Sequence, residues 1–317
     1  MLPFTLAGAL LTSLIAVANE PPITDLAFTP EAKHVVAVSQ SGIHLYAWPE
    51  LDHKRTIRTS TSNLHSIAFS PNGKYLAVGG GAPSEDGVVE VFSWPKGEPI
   101  TRFDSHNDSV RSVIWQDNDR LLTASIDREI KLWHLEKETN SILTLKGHSR
   151  SVDAICLIGN GQTLVSTGAD QSLRVWDMES GTLIRSMNQH TKPVNALELR
   201  PVRDGLPMVA SAARDRTIRF WQPTIGRMVR YIRLDSEPLN IAWTNDGDRI
   251  LATCVDGRLR VIDPIEVTVT QDLPATDGWA YAIAVHPHDH SAAIGGINGQ
   301  IRRIENFVAS ETKIETR

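Results

Sequence analysis

Three stretches of the chain each offer a histidine, a hydroxyl and an aspartate in the same order: His106, Thr123 and Asp127; His148, Ser166 and Asp170; His190, Ser211 and Asp215. These are the parts of a nucleophilic triad, in which a base takes the hydroxyl proton and an acid orients the base. Recurrence argues against that chemistry. An enzyme needs one reactive constellation, whereas three copies at equivalent positions suit a structural role repeated along the chain. No catalytic residue is assigned, and the chain is read as non-enzymatic.

The densest titratable cluster, His286-Pro-His288-Asp-His290, sets three imidazoles and a carboxylate where they could serve a metal ion. It occupies the position held elsewhere by the turns Ser70-Pro-Asn-Gly-Lys74 and Thr29-Pro-Glu-Ala-Lys33, so the expectation is an exposed polar turn and no metal. The glycine-rich run from Gly79 to Gly87 leads into no helix and lacks the Lys-Ser/Thr of a phosphate loop; an elongated hairpin loop is expected. Its Glu85 and Asp86 have no second carboxylate pair at a spacing suited to acid–base work. Cys156 and Cys254 fall on non-neighbouring units and read as small buried hydrophobes, not a disulfide. With 41% hydrophobic and 22% charged residues and a net charge of -5, the composition is that of a globular chain with no case for a nucleic-acid or anionic-membrane partner. Nothing calls for a cofactor.

The elements that position these residues come from an internal repeat. Its anchor is an alternating stretch: Ile43-His-Leu-Tyr46, Val89-Glu-Val-Phe92, Ile130-Lys-Leu-Trp133, Leu173-Arg-Val-Trp176, Ile218-Arg-Phe-Trp221, Leu259-Arg-Val-Ile262 and Ile301-Arg-Arg-Ile304. The last residues are 46, 41, 43, 45, 41 and 42 positions apart, a mean of 43. Apolar–polar alternation is the signature of a half-buried strand. Before each anchor lies a tight turn rich in Asp, Asn or Gly, for example Asp170-Gln-Ser172 and Asp256-Gly-Arg258. Upstream come two further strands, such as Val152-Asp-Ala-Ile155 and Leu164-Val-Ser-Thr167, and a fourth follows the anchor, as in Gly181 to Ser186. A four-stranded antiparallel unit cannot bury both faces alone, but radial stacking of seven buries them. Units are expected to start near 22, 63, 106, 148, 190, 236 and 277.

Lys146-Gly-His148, the turn residue Asp170 and Trp176-Asp177 resemble the Gly-His to Trp-Asp signature of the WD-repeat β-propellers. The resemblance covers about residues 22 to 304 and implies an all-β, seven-bladed propeller. It also implies that His, Ser or Thr, Asp and Trp form a hydrogen-bonded relay inside a blade. Three blades supply all four members: His106, Thr123, Asp127 and Trp133; His148, Ser166, Asp170 and Trp176; His190, Ser211, Asp215 and Trp221. In this family partners bind most often on the face formed by loops before the first strand and between the second and third. By position that gives Thr24, His65, Arg111, Asp153, Asn195, Asn240 and Tyr281, with Trp279 close by. The turn before each Asp adds Ser39, Glu85, Ile126, Ala169, Arg214, Val255 and Ile297. The expected function is a monomeric scaffold that binds one or more proteins through this face. The alternative is an enzyme or ligand sensor using the central channel, lined by Asp153, His65, Arg111 and Tyr281.

The N-terminus, an apolar run ending Ala16-Val17-Ala18, reads as a signal peptide over residues 1–18, with the propeller over 19–317, and so as an exported, bacterial-type member, periplasmic or secreted. The 299 residues beyond 18 make very nearly seven units of 43. The last blade would then complete itself with the tail from Phe307 to Thr316; without cleavage the protein is cytoplasmic and Gly8 to Val17 can supply the closing strand. Cleavage predicts a mature chain that begins at Asn19, and an intact Met1 found by mass spectrometry of the folded protein would remove the export reading.

Overall fold

The computed structural model describes residues 20–136, 140–201, 205–305 and 307. Its strands fall into seven antiparallel sheets, each in chain order. Blade 1 holds β1–β4 (Asp25–Phe28, His34–Ser39, Gly42–Ala47, His53–Ile57), and blade 2 holds β5–β8 (Ser66–Phe69, Tyr75–Gly80, Gly87–Ser93, Pro99–His106). Blade 3 holds β9–β12 (Val110–Trp115, Arg120–Ser125, Glu129–His134, Leu143–Lys146), and blade 4 holds β13–β16 (Val152–Ile158, Thr163–Gly168, Leu173–Asp177, Leu183–Met187). Blade 5 holds β17–β20 (Val194–Leu199, Val209–Ala213, Thr217–Gln222, Arg227–Arg233), and blade 6 holds β21–β24 (Pro238–Trp243, Ile250–Cys254, Arg258–Asp263, Thr268–Pro274). Blade 7 has three described strands, β25–β27 (Ala280–Val285, Ser291–Gly296, Ile301–Glu305). Among the described residues no helix is long and apolar enough to cross a membrane. The expected leader, the alternative closing strand and the tail beyond Phe307 lie outside the described residues.

Burial explains the composition of each strand. The second strand of a blade is buried almost throughout, as in β10 and β18, because neighbouring blades cover both of its faces. Such strands read as continuous small and β-branched runs and do not alternate. Space there is tight: a Cβ added at Gly79 would lie 2.5 Å from Val113 of the next blade, and one at Gly295 would lie 2.5 Å from Ile23. Fourth strands, by contrast, alternate and face solvent, as in β4 and β16.

The core is divided into one apolar cluster per blade–blade seam. Val36, Ile43, Leu64, Ile67 and Leu76 join blades 1 and 2, and equivalent clusters continue around the ring. Ile23, Leu26, Val35 and Ala37 of blade 1 meet Ala282 and Ala293 of blade 7, so the described ring closes by packing. Phe307 is buried in the cluster between blades 6 and 7.

Hydrogen bonds reinforce the seams at a spacing of about one repeat. The Asp25 carboxylate accepts from the Ile67 N–H at 2.9 Å, the Ser66 hydroxyl from the Val113 N–H at 3.0 Å, and the Glu198 carboxyl from the Trp243 N–H at 2.8 Å. Each uses a backbone donor on the next blade's innermost strand, where no further strand is present to accept it.

The turn at His286 differs from the exposed polar turn that the sequence suggests. His288 and His290 are exposed, but His286 is buried. Its Nε2–H donates to the Ala32 carbonyl of blade 1 at 3.1 Å, and its Nδ1 accepts the Asp289 N–H at 3.1 Å. The ring stacks on Trp48 at 5.9 Å and meets Phe28 edge-on at 5.0 Å. An apolar seam therefore takes up the flat imidazole face, and its two nitrogens each find a backbone partner. Among the described residues no group of three or more His, Cys, Asp or Glu could hold a metal ion. Cys156 and Cys254 are buried free thiols.

Blades 3, 4 and 5 each bring their four polar residues together. The imidazole Nδ1 lies 2.8 Å from Asp127 in His106, and 2.9 Å from Asp170 and Asp215 in His148 and His190. Each Nε2 is 2.7 Å from the hydroxyl of Thr123, Ser166 or Ser211. The indole N–H of Trp133, Trp176 or Trp221 donates to that hydroxyl at 2.9, 2.8 and 2.8 Å respectively. Neutral imidazole satisfies the chain: indole N–H to hydroxyl oxygen, hydroxyl proton to Nε2, and Nδ1–H to carboxylate. Burial holds His190 below the usual histidine range, in keeping with that state. Burial alone would push the three carboxyls up. The imidazole hydrogen bonds, with backbone donors at Asn107, Ser149 and Thr191, outweigh it and hold Asp127, Asp170 and Asp215 below the carboxylate range. Asp170→Ala removes the acceptor of the His148 imidazole and the Ser149 and Ser172 N–H groups, and should destabilise the fold by about 1–3 kcal/mol. An unchanged thermal midpoint in calorimetry would contradict a buried, fully used carboxylate.

Candidate functional site

Seven innermost strands start around one axis, so residues at their starts face a common space. That space is a cavity of about 690 Å3 at the mouth of the central channel, with a wall drawn from the innermost region of every blade. It brings together all the position-matched residues from Thr24 and His65 to Tyr281, together with Trp279. Of the turn positions only Arg214 reaches it; Ser39, Glu85, Ile126, Ala169, Val255 and Ile297 do not line the cavity.

Charged groups at the mouth are tied to one another. Arg111 donates from Nη1 to His65 Nδ1 at 3.1 Å, and its Nε lies 3.8 Å from Asp153 Oδ1. Arg214 donates from Nε to Asn195 Oδ1 at 3.2 Å and lies 3.7 Å from Glu237 Oε1. Asn195 in turn donates to the Pro238 carbonyl at 2.9 Å, and Asn240 Oδ1 accepts the Ile241 N–H at 2.8 Å. The contacts of Arg111 with His65 and Asp153, of Arg214 with Glu237 and of Asn195 with Pro238 cross from blade to blade, so they fix the shape of the rim. Trp279 is different. It is 50% exposed, with its ring 5.7 Å from that of half-buried Tyr281.

Electrostatics in the wall follow from enclosure. Burial, helped by the Arg111 charge, pushes His65 down to about 4, so at neutral pH it is an uncharged acceptor for the guanidinium. Burial raises Asp153 despite Arg111. The same cause takes Asp25 up to about 6 and Glu198 up to about 8, against the single backbone donor from Trp243 in the latter case.

Asp25 and Glu198 line the cavity, and sequence reasoning did not single them out. A signal for them existed in the repeat. Counting from the first-strand start, Glu198 stands where the other blades have Ala27, Ala68, Ile114, Cys156, Trp243 and Ala284. Asp25 stands where they have Ser66, Ser112, Ala154, Ala196, Ile241 and Ala282. A carboxyl in an otherwise small or apolar column marks a group facing enclosed space.

The chain matches the family model described as the IFT122 first beta-propeller over residues 22–305. Nuclear distribution protein nudF 1 of Talaromyces marneffei is 28% identical over 146 residues, 45% of this chain and 31% of that protein. THO complex subunit 3 of Arabidopsis thaliana is 27% identical over 204 residues, 63% of this chain and 64% of that protein. The periodic tryptophan protein 2 homolog of Dictyostelium discoideum is 24% identical over 206 residues, 63% of this chain and 22% of that protein. The match to nudF 1 thus spans about a third of that relative's length. None of the three is described as bacterial or exported, and that finer reading finds no support in them.

Glu198 gives the site a pH signature. Its pKa rises from 4.5 to about 8 on folding, so between these values the folded chain retains a proton that the unfolded chain has released. Stability contributed by this group therefore falls as pH rises through that window and is lowest above about 8. Glu198→Gln keeps an acceptor for the Trp243 N–H and removes the titration. The variant should melt about 2–4 °C higher than the native protein at pH 8.5 and nearly level with it at pH 5; equal shifts at both pH values would refute the assignment.

Seven blades, three with a complete His–hydroxyl–Asp–Trp relay, and a family match across residues 22–305 agree: the chain belongs to the WD-repeat β-propeller family of the IFT122 first beta-propeller.

Proposed function

We propose that the protein is a non-enzymatic scaffold that binds a protein partner across the channel-mouth face, with Trp279 and Tyr281 of blade 7 as the aromatic anchor and Arg111 and Arg214, on blades 3 and 5, across the mouth from them. The observation that carries this reading is the half-exposed indole of Trp279 on a rim whose cations are already held in place. Exposed aromatic and arginine side chains on a rigid rim have the chemistry of binding hot spots: large apolar area with little side-chain entropy to lose. The titratable groups argue against catalysis. His65 is an acceptor for Arg111 and is held uncharged, and Asp153 faces the same guanidinium, so neither is set as a base toward a reacting atom.

The relatives' names include a nuclear distribution protein and a subunit of a complex, which supports a partner-binding role and favours the cytoplasmic alternative over export. The competing reading, a small ligand in the channel, is favoured by Asp25, Asp153 and Glu198 lining one cavity. Affinity capture with the native protein and a Trp279→Ala, Arg111→Ala double variant separates the two. The scaffold reading expects at least one partner to be lost from the variant. Recovery of the same partners by both proteins would move the binding surface away from this face.

A further inference from the structure

A second concave surface lies on the outside of the ring, between the outermost strands of blades 1 and 2. This groove of about 630 Å3 is bounded by β4, by β8 and by the turn at Lys96 and Gly97. Ile57 and Pro99 supply apolar lining, with Phe92 buried beneath and Ile100 exposed at the edge. Four cations line it, Arg55, Arg58, Lys96 and Arg102, against one acid, Glu90.

That acid is internally engaged. Glu90 accepts the Thr61 N–H at 2.7 Å, the Ser60 N–H at 3.2 Å and the Ser60 hydroxyl at 2.9 Å. Arg55 donates to the carbonyls of Lys96, at 2.8 Å, and Pro95, and lies 5.7 Å above the Trp94 ring. Its position is thus fixed, while among the described residues no carboxylate neutralises it. Arg58 is exposed and has no hydrogen bond or ion pair among the described residues. Lys96 meets only the exposed Glu98, at 3.9 Å, and Arg102 is shared between Asp104, at 3.0 Å, and the Ser60 hydroxyl. Exposed pairs of this kind exchange readily for an incoming carboxylate.

We propose that this interblade groove docks an extended acidic peptide segment of a protein partner, with carboxylates on Arg55, Arg58 and Lys96 and an apolar side chain against Ile57 and Pro99. Charge complementarity selects an anion, and the apolar lining selects one that carries apolar side chains. A nucleic acid gains affinity with the number of phosphates neutralised, and a single groove with four cations and an apolar floor offers it little. Both flanking strands are the outer edges of their sheets, so a chain laid along them finds backbone groups that no neighbouring strand uses. The surface is separate from the channel mouth, and the inference does not depend on binding there.

Fluorescence anisotropy tests it with a labelled decapeptide of alternating Glu and Leu, a matched Gln and Leu decapeptide, and a ten-nucleotide single-stranded DNA as competitor. Native protein should bind the Glu peptide at least about tenfold more tightly than the Gln peptide at low salt. The Arg58→Glu, Lys96→Glu double variant should lose at least about tenfold, and Arg58→Gln alone about threefold, with melting temperatures unchanged. Arg150→Glu, an exposed charge reversal on a distant blade, should bind like native protein. Three results each overturn the proposal: equal affinity for the two peptides, full affinity in the folded double variant, or displacement of the Glu peptide by DNA at lower concentration than by the peptide itself.

Discussion

Every strand of this molecule is constrained by the requirement that a blade have a neighbour on each side. A four-stranded sheet exposes two faces, and only contact with the blades before and after it removes both from water. The second strand bears this constraint most strongly, which is why β2, β6, β10, β14, β18, β22 and β26 are built mainly of Val, Ala, Leu, Ile, Ser, Thr and Gly and are buried almost end to end. The same constraint fixes the channel. Blades that approach as closely as Gly79 to Val113 bring the first strands to a common axis, and the donors on those strands then depend on side chains one repeat away.

The hydroxyl and the indole of the buried relay follow one rule: a blade keeps both or neither. By strand register, the hydroxyl position of Thr123, Ser166 and Ser211 corresponds to Ala37, Val78, Ala252 and Ile294 in the other four blades. The indole position corresponds in those blades to Tyr46, Phe92, Ile262 and Ile304. Hydroxyl and indole disappear together. In these blades the two positions pack without the His–hydroxyl–indole chain, while polar groups persist beside them, such as buried Glu90 in blade 2 and the Arg260–Asp256 pair in blade 6.

That rule also explains how much was legible in the sequence. Blade number, strand order and the relay partners could be read because they recur, and recurrence separates a structural His–Ser–Asp set from a catalytic one. Positions unique to one blade carry no such signal. His286 reads as part of an exposed turn because the turn is polar, but its first position is buried in other blades too, as Thr29, Ser70 and Thr244; what is particular to blade 7 is the imidazole, which packs in an aromatic seam with Phe28 and Trp48. Asp25 and Glu198 are hidden for a different reason: they occupy inner-strand columns that look like core, and only the assembled ring reveals that these two carboxyls line a channel. The basic groove was not legible at all, because Arg55 and Arg58 meet Lys96 and Arg102 only across two fourth strands, the least regular elements of the repeat.

Specific binding surfaces on a ring of repeats are expected where the repeats differ, since identical blades present identical chemistry seven times. Blades 3 to 5 keep the full relay and are the most alike inside. The half-exposed indole at the channel mouth lies on blade 7, and the uncompensated cations of the outer groove lie on blades 1 and 2. Those three blades are contiguous around the seam that the His286 contact spans, on the side of the ring where relay packing has given way to individual solutions. Blade 6 shows what such a solution looks like in the polar direction: Arg260, almost wholly buried, reaches Asp256 at 2.7 Å where other blades use histidine. Regular blades hold the ring at its fixed curvature, and that rigidity lets the irregular ones hold charged and aromatic groups at set positions without disturbing the fold.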